Sequence, residues 1–310
     1  MIEEMDLIKL VIEVDEELIQ KGIEPYQRPL SAYLVILQQR LKISSSVMWD
    51  EDPLFKFVEQ IYKKLYRFTD LVMPPMHLGA FMFRDVFFPL RIPHIFGSPG
   101  INPVDFLDIP ERQKQWLFDD QQAGLTFFDQ VIDLMDFVYG LDDIEKRGNL
   151  PNKTVELWYL GKGQLEASAA TLLGSFNKYV VIQNCCLATE LLLKGALIAK
   201  DVDEKTLKSN SYGHNLKKLV EKIAEKLPGM NTETLAFVVE RLPHYVNTRY
   251  EAQNFSRLQL GEFLMNTQFV SGEILRQFSN RNCRKDFTAM PNGGWNLTNR
   301  TFPKKIIAGY

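Results

Sequence analysis

Apolar residues recur with the spacing of an α-helix wherever the 310-residue chain shows a regular pattern. Residues three, four and seven positions apart share one face of a helix, so such a stripe marks the side that is buried. Two stripes stand in the first part of the chain: Leu30, Tyr33, Leu34, Leu37 and Leu41, and then Leu54, Val58, Ile61, Leu65 and Phe68. Convincing alternation of apolar and polar residues, which is typical of a half-buried strand, is missing from the sequence. The sequence therefore predicts an all-α fold.

The second half of the chain predicts a helical bundle. Five segments with the helical period follow one another there, at 164–173, 177–200, 214–227, 232–246 and 258–278. Successive helices of this kind favour an antiparallel bundle. The polar segment 142–152 contains one Gly and one Pro, and we place a domain boundary there. The predicted organisation is a mostly helical N-terminal domain over 1–150, a helical bundle over 151–280 and a basic tail containing Asn and Gly over 281–310.

The stretch from Met73 to Pro110 interrupts the helical pattern. It holds seven of the fifteen prolines and many aromatic residues. Because proline breaks regular hydrogen bonding, we predict an irregular segment here. So many apolar side chains in a connection indicate that it packs onto the helices or onto a partner, and we favour packing onto the helices.

Composition favours a soluble globular protein, with 45% hydrophobic and 24% charged residues. No run reaches the ~18 apolar residues that span a bilayer, and the acidic start of the chain predicts no secretory signal. Three cysteines, Cys185, Cys186 and Cys283, are too few for a disulfide framework and fit a reducing compartment. We therefore expect a cytoplasmic protein without membrane contact, in which Cys185 and Cys186 are small buried side chains.

Charge is distributed unevenly along the chain. Residues 1–150 carry 25 acidic and 15 basic side chains, whereas residues 151–310 carry 14 acidic and 21 basic ones. Most of the positive excess lies in residues 279–310, which also contain Trp295. Lys and Arg neutralise phosphates and Trp stacks on bases, so the tail is a candidate nucleic-acid contact. A disordered terminus is the favoured alternative.

The sequence contains none of the common nucleotide, metalloprotease or nucleophile-elbow motifs, and no His/Cys set has zinc spacing. We therefore expect no metal and no cofactor. Asp129, Asp133 and Asp136 share one helix face, and three carboxylates are able to hold a hard cation. We favour a solvated acidic face for these three residues.

Three short patterns occur in order in the second half. They are the segment 188–197 (ATELLLKGAL), the segment 213–216 (GHNL) and the segment 249–252 (RYEA). Glu190 and Lys194, in the first pattern, stand one helical turn apart and are able to pair. His214 opens a helix in the second pattern, and Arg249 and Tyr250 follow an apolar segment in the third.

In its motifs and their order, the region 160–278 resembles the HEPN (higher eukaryote and prokaryote nucleotide-binding) family. The resemblance implies a bundle of four to five helices that commonly forms a homodimer. It also implies bacterial toxin–antitoxin or antiphage defence settings, in which several members are metal-independent ribonucleases. By this resemblance, nucleotide or RNA would bind at Arg249, Tyr250, Glu190, Lys194 and His214. Residues 1–150 show no family resemblance.

One departure from the family pattern affects catalysis. In the ribonuclease branch, His follows Arg after four to six residues, but positions 254–256 hold Asn254, Phe255 and Ser256. An Asn amide has no usable pKa for taking a proton from a ribose hydroxyl, although it is able to hydrogen-bond a phosphate. We therefore favour a non-catalytic protein that binds nucleotide, RNA or a partner protein. A ribonuclease that uses Arg249 with Asn254, or with His244, is one alternative.

A second alternative is a structural or adaptor protein in which residues 73–110 and 279–310 carry the partner contacts. Individual site residues also have simpler interpretations. We expect His214 to cap or orient the helix that it begins, and Glu190 to be the buried partner of a cation. Arg249 is as well suited to form a salt bridge with Glu190 or Glu251 as it is to bind an anion.

Overall fold

The protein is described here by a computed structural model, which covers residues 4–40, 50–97, 100–174, 179–209, 211–243 and 254–288. Within these residues the fold is mostly α-helical with one small sheet, which confirms the predicted all-α class. The chain divides into two compact units, Met1–Pro74 and Pro75–Tyr310.

The first unit contains four α-helices in its described part: α1 (Glu4–Gln20), α2 (Arg28–Val35), α3 (Pro53–Leu65) and α4 (Phe68–Leu71). Helix α3 begins where the sequence favours it, because Pro53 occupies the first helical position and the Asp52 side chain accepts a hydrogen bond from the Leu54 amide. The core of the unit is formed by these side chains: Val11, Val14, Leu18, Ala32, Ile36, Val58, Ile61 and Tyr62.

A buried carboxylate links α1 to α3 in the first unit. The Tyr62 and Tyr66 hydroxyls donate to Asp15 at 2.9 and 2.5 Å, and the Arg28 guanidinium lies 3.8 Å from the same carboxylate. Burial, together with the Asp15 charge, raises the pKa of Tyr62, so this hydroxyl stays protonated. The buried charge of Asp15 is therefore compensated by two hydroxyl donors and a nearby guanidinium.

The second unit contains the remaining elements. Its strands are β1 (His77–Phe83) and β2 (Val86–Ile92). Its described helices are α5 (Glu111–Asp119), α6 (Gln121–Arg147), α7 (Asn152–Leu173), α8 (Val180–Ile198), α9 (Glu204–Lys208), α10 (Leu216–Lys226), α11 (Thr232–Val239), α12 (Arg257–Arg276) and α13 (Cys283–Thr288).

Helices α6, α7, α8 and α12 pack around one large apolar core, and α10 packs on the outer side of α8. Trp158 of α7 is fully buried and donates its indole N–H to the Leu192 carbonyl of α8 at 3.1 Å. Gly195 allows this close approach, because a Cβ there would lie 2.5 Å from the indole nitrogen. This packing fixes α8 against α7 over most of its length.

The boundary between the units does not lie in 142–152, where the sequence analysis placed it. Helix α6 ends at Arg147 but belongs to the second unit, because it packs along α12. The Gln130 side chain of α6 donates to the Met265 carbonyl of α12 at 3.2 Å. The polar segment after α6 is therefore a turn within one core, closed by Gly148 in a left-handed conformation, and not a linker.

The Pro-rich stretch is more regular than predicted, because β1 and β2 pair as an antiparallel hairpin within it. Pro89 lies opposite Ala80, at a position whose backbone groups face away from the partner strand. Its carbonyl accepts instead from the Asp108 amide at 3.0 Å. Pro89 therefore removes no hydrogen bond from the ladder, and the strand tolerates it.

The hairpin packs on the helices, as the sequence analysis favoured. The buried Gln268 side chain of α12 meets the outer edge of β1, where it accepts from the Ala80 amide at 3.1 Å and donates to the Ala80 carbonyl at 3.2 Å. It also donates to the Gln130 side chain at 2.6 Å. One amide therefore satisfies the strand edge and joins β1, α6 and α12.

The three aspartates of α6 are not a solvated face, contrary to the sequence analysis. Asp129, Asp133 and Asp136 are buried and paired with arginines from α12 and α13. Arg276 contacts both Asp133 and Asp136, and Arg284 Nη1 lies 2.6 Å from Asp129 Oδ1. Although burial opposes it, the surrounding carboxylates raise the pKa of Arg276. The pattern was misread because the arginines stand about 140 positions further along the chain.

Candidate functional site

Helix α8 positions the first two residues of the candidate site. Glu190 and Lys194 stand one turn apart on this core helix, and Lys194 Nζ lies 2.6 Å from Glu190 Oε1. Only 7% of the Glu190 side chain and 14% of the Lys194 side chain are exposed. The ammonium group therefore compensates a carboxylate that is otherwise held away from water.

His214 joins the same carboxylate from a different part of the chain. Its Nδ1 lies 2.8 Å from Glu190 Oε2, and 47% of its side chain is exposed. Packing of α10 against α8 brings the residue there, because His214 lies two positions before α10 begins. The structure thus brings together Glu190, Lys194 and His214, and we call these three residues the Glu190 site.

His214 does not cap α10, contrary to one expectation from the sequence. The cap is Asn215, whose side chain accepts from the Lys218 amide at 3.1 Å. The imidazole instead turns toward α8 and contacts Glu190. Sequence alone did not separate these alternatives, because Asn is itself one of the best capping residues and stands directly beside His214.

Both oxygens of Glu190 are occupied, one by Lys194 and the other by His214. The carboxylate is therefore suited to hold the two bases in place and not to exchange protons with a ligand. An ionised carboxylate accepts only, so it favours the proton on Nδ1 of the imidazole. The half-exposed imidazole is the part of the site that solvent and ligands reach.

Two lysines follow His214 closely in the chain. Lys217 and Lys218 are exposed in the first turn of α10, beside the N-terminal end of the helix dipole. Cations at the N-terminal end of a helix lower its stability, whereas a bound anion there raises it. Lys217 lies 3.9 Å from Glu240, and because both side chains are exposed this pair adds little to stability. Neither lysine was among the predicted site residues, although their position directly after 213–216 was a visible signal.

The other predicted site residues have different outcomes. Arg249, Tyr250 and His244 lie outside the described residues. Asn254 is described, exposed and two positions before Ser256, which caps α12 by accepting from the Gln259 amide at 3.2 Å. Asn254 therefore stands beside a helix start that the sequence determines by a capping box.

The described chain before residue 244 reaches α8 close to the Glu190 site. The Pro243 carbonyl lies 3.4 Å from the Cys186 sulfur, and Cys186 stands one turn before Glu190 on α8. Cys185 and Cys186 are both buried, as the sequence analysis expected, and burial raises the pKa of Cys185 to about 11. Burial also raises the pKa of Cys186, so neither thiol is a reactive group at neutral pH.

Comparison with known proteins adds nothing to these observations: no family model matches the chain, and neither a curated protein nor a solved structure resembles it significantly. Among the described helices, α8 is long and apolar enough to cross a membrane, but 67% of the relevant window is buried within the protein. That burial is typical of the core helix of a soluble protein. Within the described ranges, no group of three His, Cys, Asp or Glu side chains is arranged to hold a metal ion.

Proposed function

We propose that the second unit binds nucleotide or RNA at the Glu190 site without cleaving it, as a HEPN-like protein of a bacterial defence or toxin–antitoxin system. The observation that carries the proposal is the buried Glu190 carboxylate, which holds Lys194 and the half-exposed His214 together. We further propose a cytoplasmic homodimer, following the family resemblance. A protein partner for the dimer is part of the same proposal.

The chemistry of the site supports an anionic ligand. Lys194 supplies a point charge and His214 a donor or acceptor, and their geometry is fixed by a carboxylate that does not compete for the ligand. Lys217 and Lys218 add charge at the positive end of α10. A phosphate group is the ligand chemistry that such a set of donors recognises best. In this proposal Arg249 adds a bidentate guanidinium to the phosphate.

The binding test uses His214→Gln, because this exposed side chain can be replaced without leaving a cavity. We expect the variant to bind a fluorescein-labelled single-stranded RNA about tenfold more weakly than the wild type, a loss of about 1.4 kcal/mol that matches one charge-assisted hydrogen bond. His94→Gln is the matched control, since His94 is also exposed. Equal affinity of His214→Gln and the wild type for both RNA and mononucleotides would refute the proposed site.

The absence of catalysis is tested separately, by incubating RNA with the protein in the presence of a metal chelator. We expect no turnover, because the position that holds His in the ribonuclease branch is Asn254. Sustained cleavage that Arg249→Ala abolishes would contradict this part of the proposal. It would favour the ribonuclease alternative, and His244→Gln would then test which base is used.

A further inference from the structure

The tip of the β1–β2 hairpin carries an unusual group of cations and aromatic rings. Arg84, in the turn between the strands, has a positive φ of 57°, which L residues rarely adopt. Its guanidinium carbon lies 5.1 Å from the centre of the Trp116 ring. Arg112, one turn before Trp116 on α5, lies 5.1 Å from the same ring. We call Arg84, Arg112 and Trp116 the hairpin-tip cluster.

The charges of this cluster are not compensated by acidic neighbours. Within the described ranges, neither Arg84 nor Arg112 has a carboxylate within 4 Å, although both are exposed. The acidic residues adjacent to them in the chain have other partners: Asp85 lies 3.8 Å from Arg257, and Glu111 lies 3.8 Å from Lys114.

Two other stacked arginines, Arg28 and Arg281, differ in this respect. Arg28 lies over Tyr66 and also 3.8 Å from Asp15, and Arg281 lies over Tyr139 and also 2.5 Å from Asp143. A carboxylate accompanies the stacking of these two arginines, whereas Arg241, which lies over Phe237, has none within 4 Å in the described part of the chain. At the hairpin tip two guanidinium groups are held on one indole without that compensation, so the donors point to an external anion.

We propose that the hairpin-tip cluster binds single-stranded nucleic acid. Guanidinium groups that lie over an indole are restricted in orientation, and their planes are surfaces on which an unpaired base stacks. Their N–H groups are at the same time donors to the adjacent phosphates. Arg257 stands beside the turn, where its Nε donates to the Asp85 carbonyl at 2.9 Å, and its charge is paired with the Asp85 carboxylate. This contact surface is made of residues other than those of the Glu190 site, and the proposal stands without that site.

The test measures binding of a fluorescein-labelled 12-nucleotide single-stranded RNA to the full chain between 50 and 200 mM salt. We expect R84Q/R112Q to weaken binding at least tenfold and to lower the slope of log K against log salt by about 1.4, since each phosphate contact on a single strand contributes about 0.7. R84K/R112K keeps both charges but lacks the planar groups. We expect this variant to keep the salt slope and to lose part of the affinity.

The matched control is K63Q/R67Q, which also removes two exposed cations, both of them paired with carboxylates in the first unit. We expect it to bind like the wild type. Equal affinity of R84Q/R112Q and the wild type, or an equal loss in K63Q/R67Q, would overturn the proposal. Equally tight binding of a duplex RNA would also overturn it, and so would binding of phosphatidylserine vesicles in place of RNA.

This experiment distinguishes a failure of the hairpin-tip proposal from a failure of the proposed function. His214→Gln tests the Glu190 site, and R84Q/R112Q tests the hairpin tip in the same assay. Loss in R84Q/R112Q with no loss in His214→Gln would support the hairpin tip alone. Loss in His214→Gln with no loss in R84Q/R112Q would support the Glu190 site and contradict the inference drawn here.

Discussion

His77 opens β1 with an imidazole that is completely buried. Its Nδ1 lies 3.2 Å from Glu166 of α7, and its ring meets Phe137 edge to face. Burial lowers the pKa of His77 below its usual value, so the ring is neutral in the folded protein. Although burial alone would raise it, the Lys162 ammonium, 2.8 Å from the carboxylate, helps to lower the pKa of Glu166.

The buried imidazole makes stability depend on pH. In the unfolded chain His77 takes up a proton near pH 6.5, whereas in the folded protein it resists protonation, so stability decreases as the pH falls below about 6.5. We expect His77→Leu to remove this contribution, which amounts to at most about 1.4 kcal/mol for each pH unit. Urea unfolding at pH 7.5, 6.5 and 5.5 measures the difference.

The control for this experiment is His94→Gln, which changes an exposed histidine and is expected to keep the wild-type dependence on pH. If His77→Leu lost stability with falling pH as steeply as the wild type, another group would be responsible and the account of His77 would be wrong.

At the scale of single elements, two exposed glycines have opposite roles. Gly148 ends α6 with a φ of 60°, and Gly163 lies within α7; a Cβ at either position would meet no atom within 4 Å. We expect Gly148→Ala to destabilise the protein by about 1 kcal/mol because of backbone strain. Gly163→Ala is expected to stabilise it by up to about 1 kcal/mol through helix propensity. Thermal unfolding of both variants checks the two signs, and a shift in the same direction would contradict the argument.

The link between the hairpin and the helices depends on Gln268. Gln268→Leu leaves the Ala80 amide, the Ala80 carbonyl and the Gln130 side chain without this partner, and we expect a loss of about 2–4 kcal/mol in the free energy of unfolding. Gln115→Leu, on the exposed side of α5, is the control and should change stability by less than about 0.5 kcal/mol. A Gln268→Leu variant as stable as the control would show that the strand edge is satisfied by other means.

Local patterns predicted the helices, and tertiary contacts decided the rest. The helix predicted over 214–227 corresponds to α10, because residues 216, 219, 220 and 223 are neighbours on one face and are buried there. The strand β2 was missed because Pro89 is unfavourable in a ladder unless its position faces outward, which depends on pairing with β1. The pairing of Glu190 with Lys194 was predicted from spacing, but contact with His214 requires α10 to pack on α8.

For the whole molecule, the uneven charge seen in the sequence does not correspond to the structural units. Residues 1–74 carry 13 acidic and 9 basic side chains, and residues 75–310 carry 26 and 27. The acidic side chains of α6 belong to the same unit as the arginines of α12 and α13, and they neutralise each other in its interior. Long-range attraction of a polyanion to the second unit is therefore small, and local groups must supply the affinity.

The most direct test of the account is the histidine side-chain NMR spectrum of the full protein during titration with uridine monophosphate and then with single-stranded RNA. His214→Gln and His94→Gln assign the two exposed rings. We expect the ring resonances of His214 to shift in a saturable manner, and those of His94 to stay in place, because Glu190 holds His214 at the proposed phosphate site. Saturation of the protein with either ligand while the His214 resonances stay unchanged would contradict the central claim.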